Sequence, residues 1–305
     1  MIGRIHYNLC PVCDSAAIKN AFQVKDFTAS GELFTIAECQ SCLLRFTQDV
    51  PDENMMSPYY KSEDYISHTN TAKGVINKLY HFIRKRTIIG KRKLIEKNTG
   101  IKKGKMLDVG SGIGSFINEM KKHGWEATGL EPDADARQIA KDIYDLDLAE
   151  MSHFRQLPAG HFDAITLWHV LEHVHDLSNY IQQLKTLLHP KGKLFIAVPN
   201  YTATDSVVYK EYWAAYDVPR HLYHFSPRSM QTLMKKNGLT ILQYKPMWYD
   251  SFYISLLSSK YKNTRRPDRQ GKINWLAALC TGFRSNLNAL ADKKKCSSVI
   301  YVIGK

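Results

Sequence analysis

The chain is short of carboxylates: its 305 residues carry 29 Asp and Glu against 42 Lys and Arg, a formal net charge of +13. Such a balance favours phosphate-rich partners, namely RNA, anionic membrane surfaces or nucleotide-linked substrates. The chain also lacks any uninterrupted apolar run of the ~18 residues that a membrane span needs. Its start, Met1 to Cys10, has no apolar core of a secretory signal, so the expected location is the cytoplasm. Cysteine is scarce, and four of the six cysteines fall in two Cys-x-x-Cys pairs. Without an export signal that pattern favours metal over disulfides. No internal repeat or low-complexity tract is present. An apolar fraction of 44% is enough for a real core, and the length suits about two domains.

The organisation reads as three parts: a cysteine-framed module over 1–50, a linker and basic helical segment over 51–103, and an α/β domain over 104–305. The tract 51–72 reads as irregular, with Pro51, Pro58 and the tyrosines Tyr59, Tyr60 and Tyr65. From Val75 to Lys97 apolar residues recur near helical spacing, with Gly90 as an expected interruption. Between Arg84 and Lys105 ten cations are offset only by Glu96, which is either a solvated helix face or a docking surface for polyanions.

From Lys105 onward strands and helices alternate, the pattern of a parallel sheet covered on both faces. Strands are expected at Met106–Val109, Ala127–Leu130, Leu146–Ala149, Asp163–Trp168, Lys193–Val198, Leu239–Lys245 and Ser298–Ile303, a total of seven. Helices are expected at Phe116–His123, Asp133–Tyr144 and Leu177–Leu188, and from Ser226-Pro227 to Asn237-Gly238. A helical insertion occupies about 247–292. Its aromatic stretch Trp248–Leu257 reads as core packing, a lid, a dimer face or a lipid-contact helix.

Leu107-Asp108-Val109-Gly110-Ser111-Gly112-Ile113-Gly114 is the most informative segment. A strand enters, glycines turn the chain, and a helix leaves. Glycine is needed where a ligand approaches the backbone or φ is positive. Glu131 ends the next strand about twenty residues on, where a carboxylate accepts hydrogen bonds from two ribose hydroxyls.

With these residues the chain resembles class I S-adenosylmethionine-dependent methyltransferases. Their first motif is matched by Leu107–Gly114, their second by Gly129-Leu130-Glu131-Pro132-Asp133, and their fourth-strand motif by Phe162–Val174. Pro190-Lys191-Gly192-Lys193-Leu194 matches their approach to strand five. The resemblance implies a Rossmann-like doubly wound seven-stranded sheet. It also implies S-adenosylmethionine held by Asp108, Gly110, Ser111, Gly112, Gly114, Glu131, Pro132 and Trp168. Asp108 would lie near the methionine ammonium and Glu131 would hold the ribose. The family's acidic adenine contact has no carboxylate to match it in Ser152–Pro158.

Cys10, Cys13, Cys39 and Cys42 can supply four thiolates in a tetrahedron, which closes a structural zinc site. A module of ~50 residues with short strands needs such a staple.

The segment after strand five is rich in polar candidates, and ligands in this fold bind beyond the carboxyl ends of the strands. His221 reads as a general base. Asp217, four residues earlier, would orient it. His173, near His169 and Glu172, is a second catalytic candidate. The ribbon, the Tyr59-Tyr60 pair and Arg220-His221-Leu222-Tyr223-His224-Phe225-Ser226 resemble bacterial sugar C-methyltransferases, whose histidine in this segment is a catalytic candidate. Arg220 stands where those enzymes carry Glu, and could pair with a phosphate or carboxylate of the substrate. The expected acceptor is a small molecule: a sugar, a nucleotide-sugar or a cell-envelope precursor, with or without a phosphate. The competing expectation is an RNA methyltransferase that grips RNA through the ribbon and the basic segment.

Overall fold

The computed structural model describes residues 3–60, 75–264 and 271–305. The later part of the irregular tract expected at 51–72, Tyr65 included, lies outside the described residues. The N-terminal module is built from antiparallel strands. β1 (Arg4–Ile5) pairs with β5 (Val50–Pro51), while β2 (Ile18–Lys25), β3 (Leu33–Cys39) and β4 (Arg45–Thr47) form a meander. A one-turn helix α1 (Ser57–Tyr60) follows, and then the long helix α2 (Val75–Thr99). Gly90 does not interrupt α2. No neighbouring atom lies within 4 Å of where its side chain would begin, so glycine there costs only propensity, about 1 kcal/mol.

The central sheet is assembled from β6 (Lys105–Val109), β7 (Glu126–Leu130), β8 (Phe162–Trp168), β9 (Leu188–Pro199), β11 (Thr240–Pro246) and β12 (Ser298–Gly304). Its order is β11-β12-β9-β8-β6-β7, with the last four parallel and β12 and β11 antiparallel. The fold is therefore doubly wound, and among the described residues the central sheet has six strands where seven were expected. The expected strand at Leu146–Ala149 makes a single bridge, Leu130 to Ala149. Its room is limited on both sides. Helix α4 (Ala134–Tyr144) ends on Asp145 in the left-handed region, and a 3-10 turn begins at Met151.

Helix α3 (Ser115–Lys122) joins β6 to β7, and α5 (Leu177–Leu187) joins β8 to β9. The parallel strands are buried on both faces, as helix-covered sheets require. Leu107, Val109, Ile165 and Leu167 face one layer, and Met106, Ala164 and Phe195 the other. After β9 come α6 (Thr204–Tyr209), a loop, and the two-residue strand β10 (Tyr223–His224). Helix α7 (Pro227–Lys236) starts on a reciprocal cap between Ser226 and Ser229. The insertion is a helical pair, α8 (Asp250–Asn263) and α9 (Trp275–Ala291).

Strand β10 does not join the central sheet. It pairs antiparallel with β4, so the N-terminal sheet reads β10-β4-β3-β2. The cysteine module is thus continuous with the loop that follows β9. Among the described residues no helix is long and apolar enough to cross a membrane.

Candidate active site

Strand β6 has β7 on one side and β8 on the other, so strand order reverses at β6 and β8, the point where sheets of this kind bind ligands beyond the carboxyl ends of their strands. The glycine loop lies at that point. Gly110, Gly112 and Gly114 have φ of +72°, +52° and +74°, a region that favours glycine. A side chain on Gly110 would meet Val170 Cγ2 at 2.5 Å, whereas at Gly112 nothing lies within 4 Å. Gly112 therefore borders open space. Ser111 is spent on the turn: its hydroxyl donates to the Asp108 carbonyl at 2.9 Å and its amide to the Leu130 carbonyl at 3.0 Å.

Glu131 is buried beside the loop. Its Oε2 accepts from the Gly112 amide at 2.7 Å and its Oε1 from the Asp133 amide at 3.0 Å. Each oxygen keeps capacity for a second donor. Asp108 is 1% exposed and accepts from the Thr166 hydroxyl. Burial lifts its carboxyl to about 7, against the pull of Thr166 and Lys91. A buried carboxylate so weakly neutralised is suited to a ligand cation.

Two residues near these strand ends carried no distinct sequence signal. Lys91 of α2 lies with Nζ 4.2 Å from the centre of the Trp168 ring, and burial draws its ammonium down to about 8. Trp168 also packs edge-on against Phe116, and its indole N–H finds no protein acceptor. Lys91 could be read only as one cation in a basic run. Arg84 bonds Ser115, and Arg92 pairs with Glu96 and Glu119. The run is partly folded inward. Glu150 is the second, two residues ahead of the Ser152–Pro158 stretch. It directly follows the bridge residue Ala149 and pairs with Arg137 at 2.9 Å.

Beyond β8 a second group assembles. His169 has φ +58° and sits between two carboxylates, with Nδ1 3.3 Å from Glu172 and Nε2 3.0 Å from Asp250 of α8. Burial opposes its charge, but bonds to Asp250 and Glu172 outweigh that and lift it to about 10. His173 Nδ1 is 3.0 Å from the Arg220 carbonyl and 3.1 Å from the Tyr60 hydroxyl. Burial, then the neighbouring His221, lower it to about 4, so the ring is neutral. His221 Nδ1 is 2.8 Å from the Ala215 carbonyl. Only an N–H can serve a carbonyl, so Nδ1 is the donor in each ring, and neutral His173 keeps Nε2 as a lone-pair acceptor. The rings meet edge to face at 4.7 Å. One nitrogen from each and one oxygen of buried Glu172 lie within 4.8 Å of one another. That set can take up a proton and has the donor types to hold a cation.

Asp217 lies with Oδ2 4.0 Å from His221 Nε2, and the Ala215 carbonyl holds Nδ1 of the same ring. Arg220 is wholly buried, bound to Asp217 at 2.6 Å, to Asp26 at 3.0 Å and to the Tyr59 carbonyl at 2.9 Å. This corrects the expectation that Arg220 meets the substrate. Its guanidinium ties the loop to the N-terminal module, because a buried cation must be paired within the protein.

A family model described as a methyltransferase domain matches residues 80–244, more than half the chain. The chain belongs to that family. This methyltransferase is 27% identical over 188 residues to a ubiquinone biosynthesis O-methyltransferase of Xanthomonas axonopodis pv. citri, covering 57% of this chain and 74% of that one. It is 28% identical over 165 residues to the mitochondrial ubiquinone biosynthesis O-methyltransferase of Rattus norvegicus, and there the match spans 48% of each chain. Its fold is that of phosphoethanolamine N-methyltransferase 2 of Haemonchus contortus in complex with S-adenosyl-L-methionine. That match has a TM-score of 0.51 at 16% identity, over 93% of this chain and 71% of that one. The chain is an S-adenosylmethionine-dependent methyltransferase, and the open glycine loop, Glu131 and Asp108 fit that cofactor.

In the same methyltransferase Cys10, Cys13, Cys39 and Cys42 converge. Cys10 and Cys42 sulfurs are 3.5 Å apart, as are those of Cys13 and Cys39. No disulfide joins them. Each pair is followed by a left-handed residue, Asp14 or Leu43, which doubles the chain back and brings the two knuckles face to face.

Proposed function

We propose that the methyltransferase methylates an oxygen of a small-molecule acceptor held between the end of β8 and the loop 213–221. The observation that carries this reading is the packing of the His173 and His221 rings at 4.7 Å, each with its Nδ1 on a backbone carbonyl. Oxygen is favoured because curated relatives are O-methyltransferases. Bound S-adenosylmethionine supplies the methyl group on a sulfonium centre. In this reading Glu131 holds the ribose, with Pro132 beside the adenine. Asp108 stabilises the ammonium, Gly110, Ser111, Gly112 and Gly114 shape the loop, and Trp168 walls the site. His221 accepts the acceptor's proton, with His173 beside it. Asp217 acts through Arg220 to fix the loop. Cys10, Cys13, Cys39 and Cys42 hold a structural zinc, and 1–50, 51–103 and 104–305 are the working divisions of the chain.

Sugars, nucleotide-sugars and envelope precursors remain the proposed acceptor class, with Arg220 removed as a phosphate contact. Radiolabel transfer from S-adenosylmethionine into fractionated extract tests the reading. Label in nuclease-resistant small molecules supports it, and label lost to nuclease overturns it in favour of RNA.

Two further results are expected. Glu131→Ala weakens S-adenosylhomocysteine binding by more than ~1.4 kcal/mol, about tenfold; an unchanged calorimetric affinity would remove the ribose assignment. Asp108→Asn trades ligand binding for stability. The native carboxyl is raised to about 7, so the folded state holds a proton that the unfolded state has released. Stability therefore falls as pH rises from the unfolded Asp value towards 7. The variant, free of that penalty, melts higher than the parent at pH 8 and alike near pH 4, while binding S-adenosylhomocysteine more weakly. Equal melting at pH 8 would refute the raised carboxyl.

A further inference from the structure

Helix α9 is built inside out. The residues it buries are small: Ala278, Gly282, Ser285 and Ala289. Its large apolar side chains face solvent, Leu276 at 76% exposure, Leu279 at 46%, Phe283 at 59%, Leu287 at 48% and Leu290 at 69%. These recur at spacings of three and four, so they form one stripe along the helix, about 20 Å long at 1.5 Å per residue. A helix that needed apolar bulk to hold its place would turn that stripe inward. Here close approach of small residues does that work: Gly282 lies so near Phe252 of α8 that a side chain would meet it at 2.7 Å.

Charge distinguishes the occupants of this face. The helix carries no carboxylate, and its one charged residue is Arg284. Lys272 precedes it, and Lys293, Lys294 and Lys295 follow, all exposed. The nearest acid in the sequence, Asp292, is spent on the lysine turn, where its exposed carboxylate accepts from the Lys294 amide at 3.0 Å. A two-fold pairing of two copies through this stripe would set Arg284 near Arg284 and Lys272 near the partner's lysine cluster, because such an interface is self-complementary. Like charges would meet along its length. A surface of anionic lipid headgroups offers the opposite: an apolar layer for the stripe and phosphates for the flanking cations.

The stripe is coupled to the acceptor loop. Ser285, on the inner face of α9, donates to Asp205 at 2.9 Å, and Ser297 donates to the same carboxylate at 2.7 Å. Asp205 in turn accepts from the Trp213 indole at 2.7 Å, and Trp213 begins the loop that carries His221. One buried carboxylate joins the outer helix to the proposed acceptor wall.

We propose that α9 lies flat on an anionic membrane surface and that the enzyme draws its acceptor from that surface as a lipid-linked molecule. The substrate class rests on the small-molecule reading above; the docking itself does not. Flotation of the full chain with phosphatidylcholine vesicles, with and without phosphatidylglycerol, tests it. The expected result is binding to the anionic vesicles only, weakened by salt. Phe283→Glu and, separately, Lys295→Glu should each weaken that binding at least about tenfold. Both side chains face outward, so melting temperature and S-adenosylhomocysteine affinity should not change. No flotation with either vesicle overturns the proposal, as does equal flotation with neutral ones. Self-association that Phe283→Glu abolishes assigns the face to a second copy and also overturns it. Intact docking with label entering only soluble acceptors rejects the lipid-linked substrate but leaves the docking surface standing.

Discussion

His221→Ala is expected to lower kcat between about 100-fold and 10,000-fold, the range that a positioned general base contributes. S-adenosylhomocysteine binding should be unaffected, because the glycine loop and Glu131 lie on other strands. The ring's function depends on which nitrogen carries the proton. Nδ1 faces the Ala215 carbonyl at 2.8 Å and must donate, so Nε2, 4.0 Å from Asp217 Oδ2, is the nitrogen that would take the acceptor's proton. His221→Gln keeps a polar side chain but has no basic nitrogen, so it should be as slow as the alanine variant. Normal turnover in either variant rejects His221 as the base. His173→Ala provides the contrast. Its neutral ring bonds the Arg220 carbonyl and faces His221, so its loss should disturb acceptor KM along with kcat.

The parts of this site that the sequence disclosed are those made by neighbours along the chain. The glycine loop, Asp108 and Glu131 lie within one β-α-β passage, and each residue type there has a local reason: positive φ, a strand end, a carboxylate beside a turn. His169 was visible as a strand-end residue, but its clamp was not, because Asp250 comes from the helical insertion 81 residues away. His173 and His221 were both candidates, yet nothing in spacing says that their rings meet. Arg220 misled because an arginine in a loop after a strand is commonly free for a ligand. Here Asp26, 194 residues earlier, claims it first. Strand β10 has only two residues, too few for any alternation to be read.

That last strand would make the proposed zinc site consequential for catalysis. Replacing Cys10 and Cys42 by serine should abolish zinc binding and unfold the N-terminal module. Structural zinc sites of this kind contribute on the order of 10 kcal/mol, more than so few short strands can recover by burial. The loss should not stop at the module. The Thr47 hydroxyl donates to the His221 carbonyl at 2.8 Å, and its amide to the Leu222 carbonyl at 2.9 Å. Arg45 reaches the Tyr216 hydroxyl at 2.9 Å, and Asp26 neutralises Arg220. The loop bearing the proposed base is thus held by the sheet that the cysteines staple. Metal removal should then act as a loop mutation: methyl transfer falls with the zinc content, while S-adenosylhomocysteine still binds to β6, β7 and the glycine loop. Parallel measurement of metal content, melting, ligand affinity and turnover separates the cases. A double variant that retains zinc and its melting temperature refutes the site. One that loses zinc and the module yet turns over normally refutes the link between the ribbon and His221. Loss of turnover with intact ligand binding would mean that the N-terminal module serves as the back wall of the acceptor site.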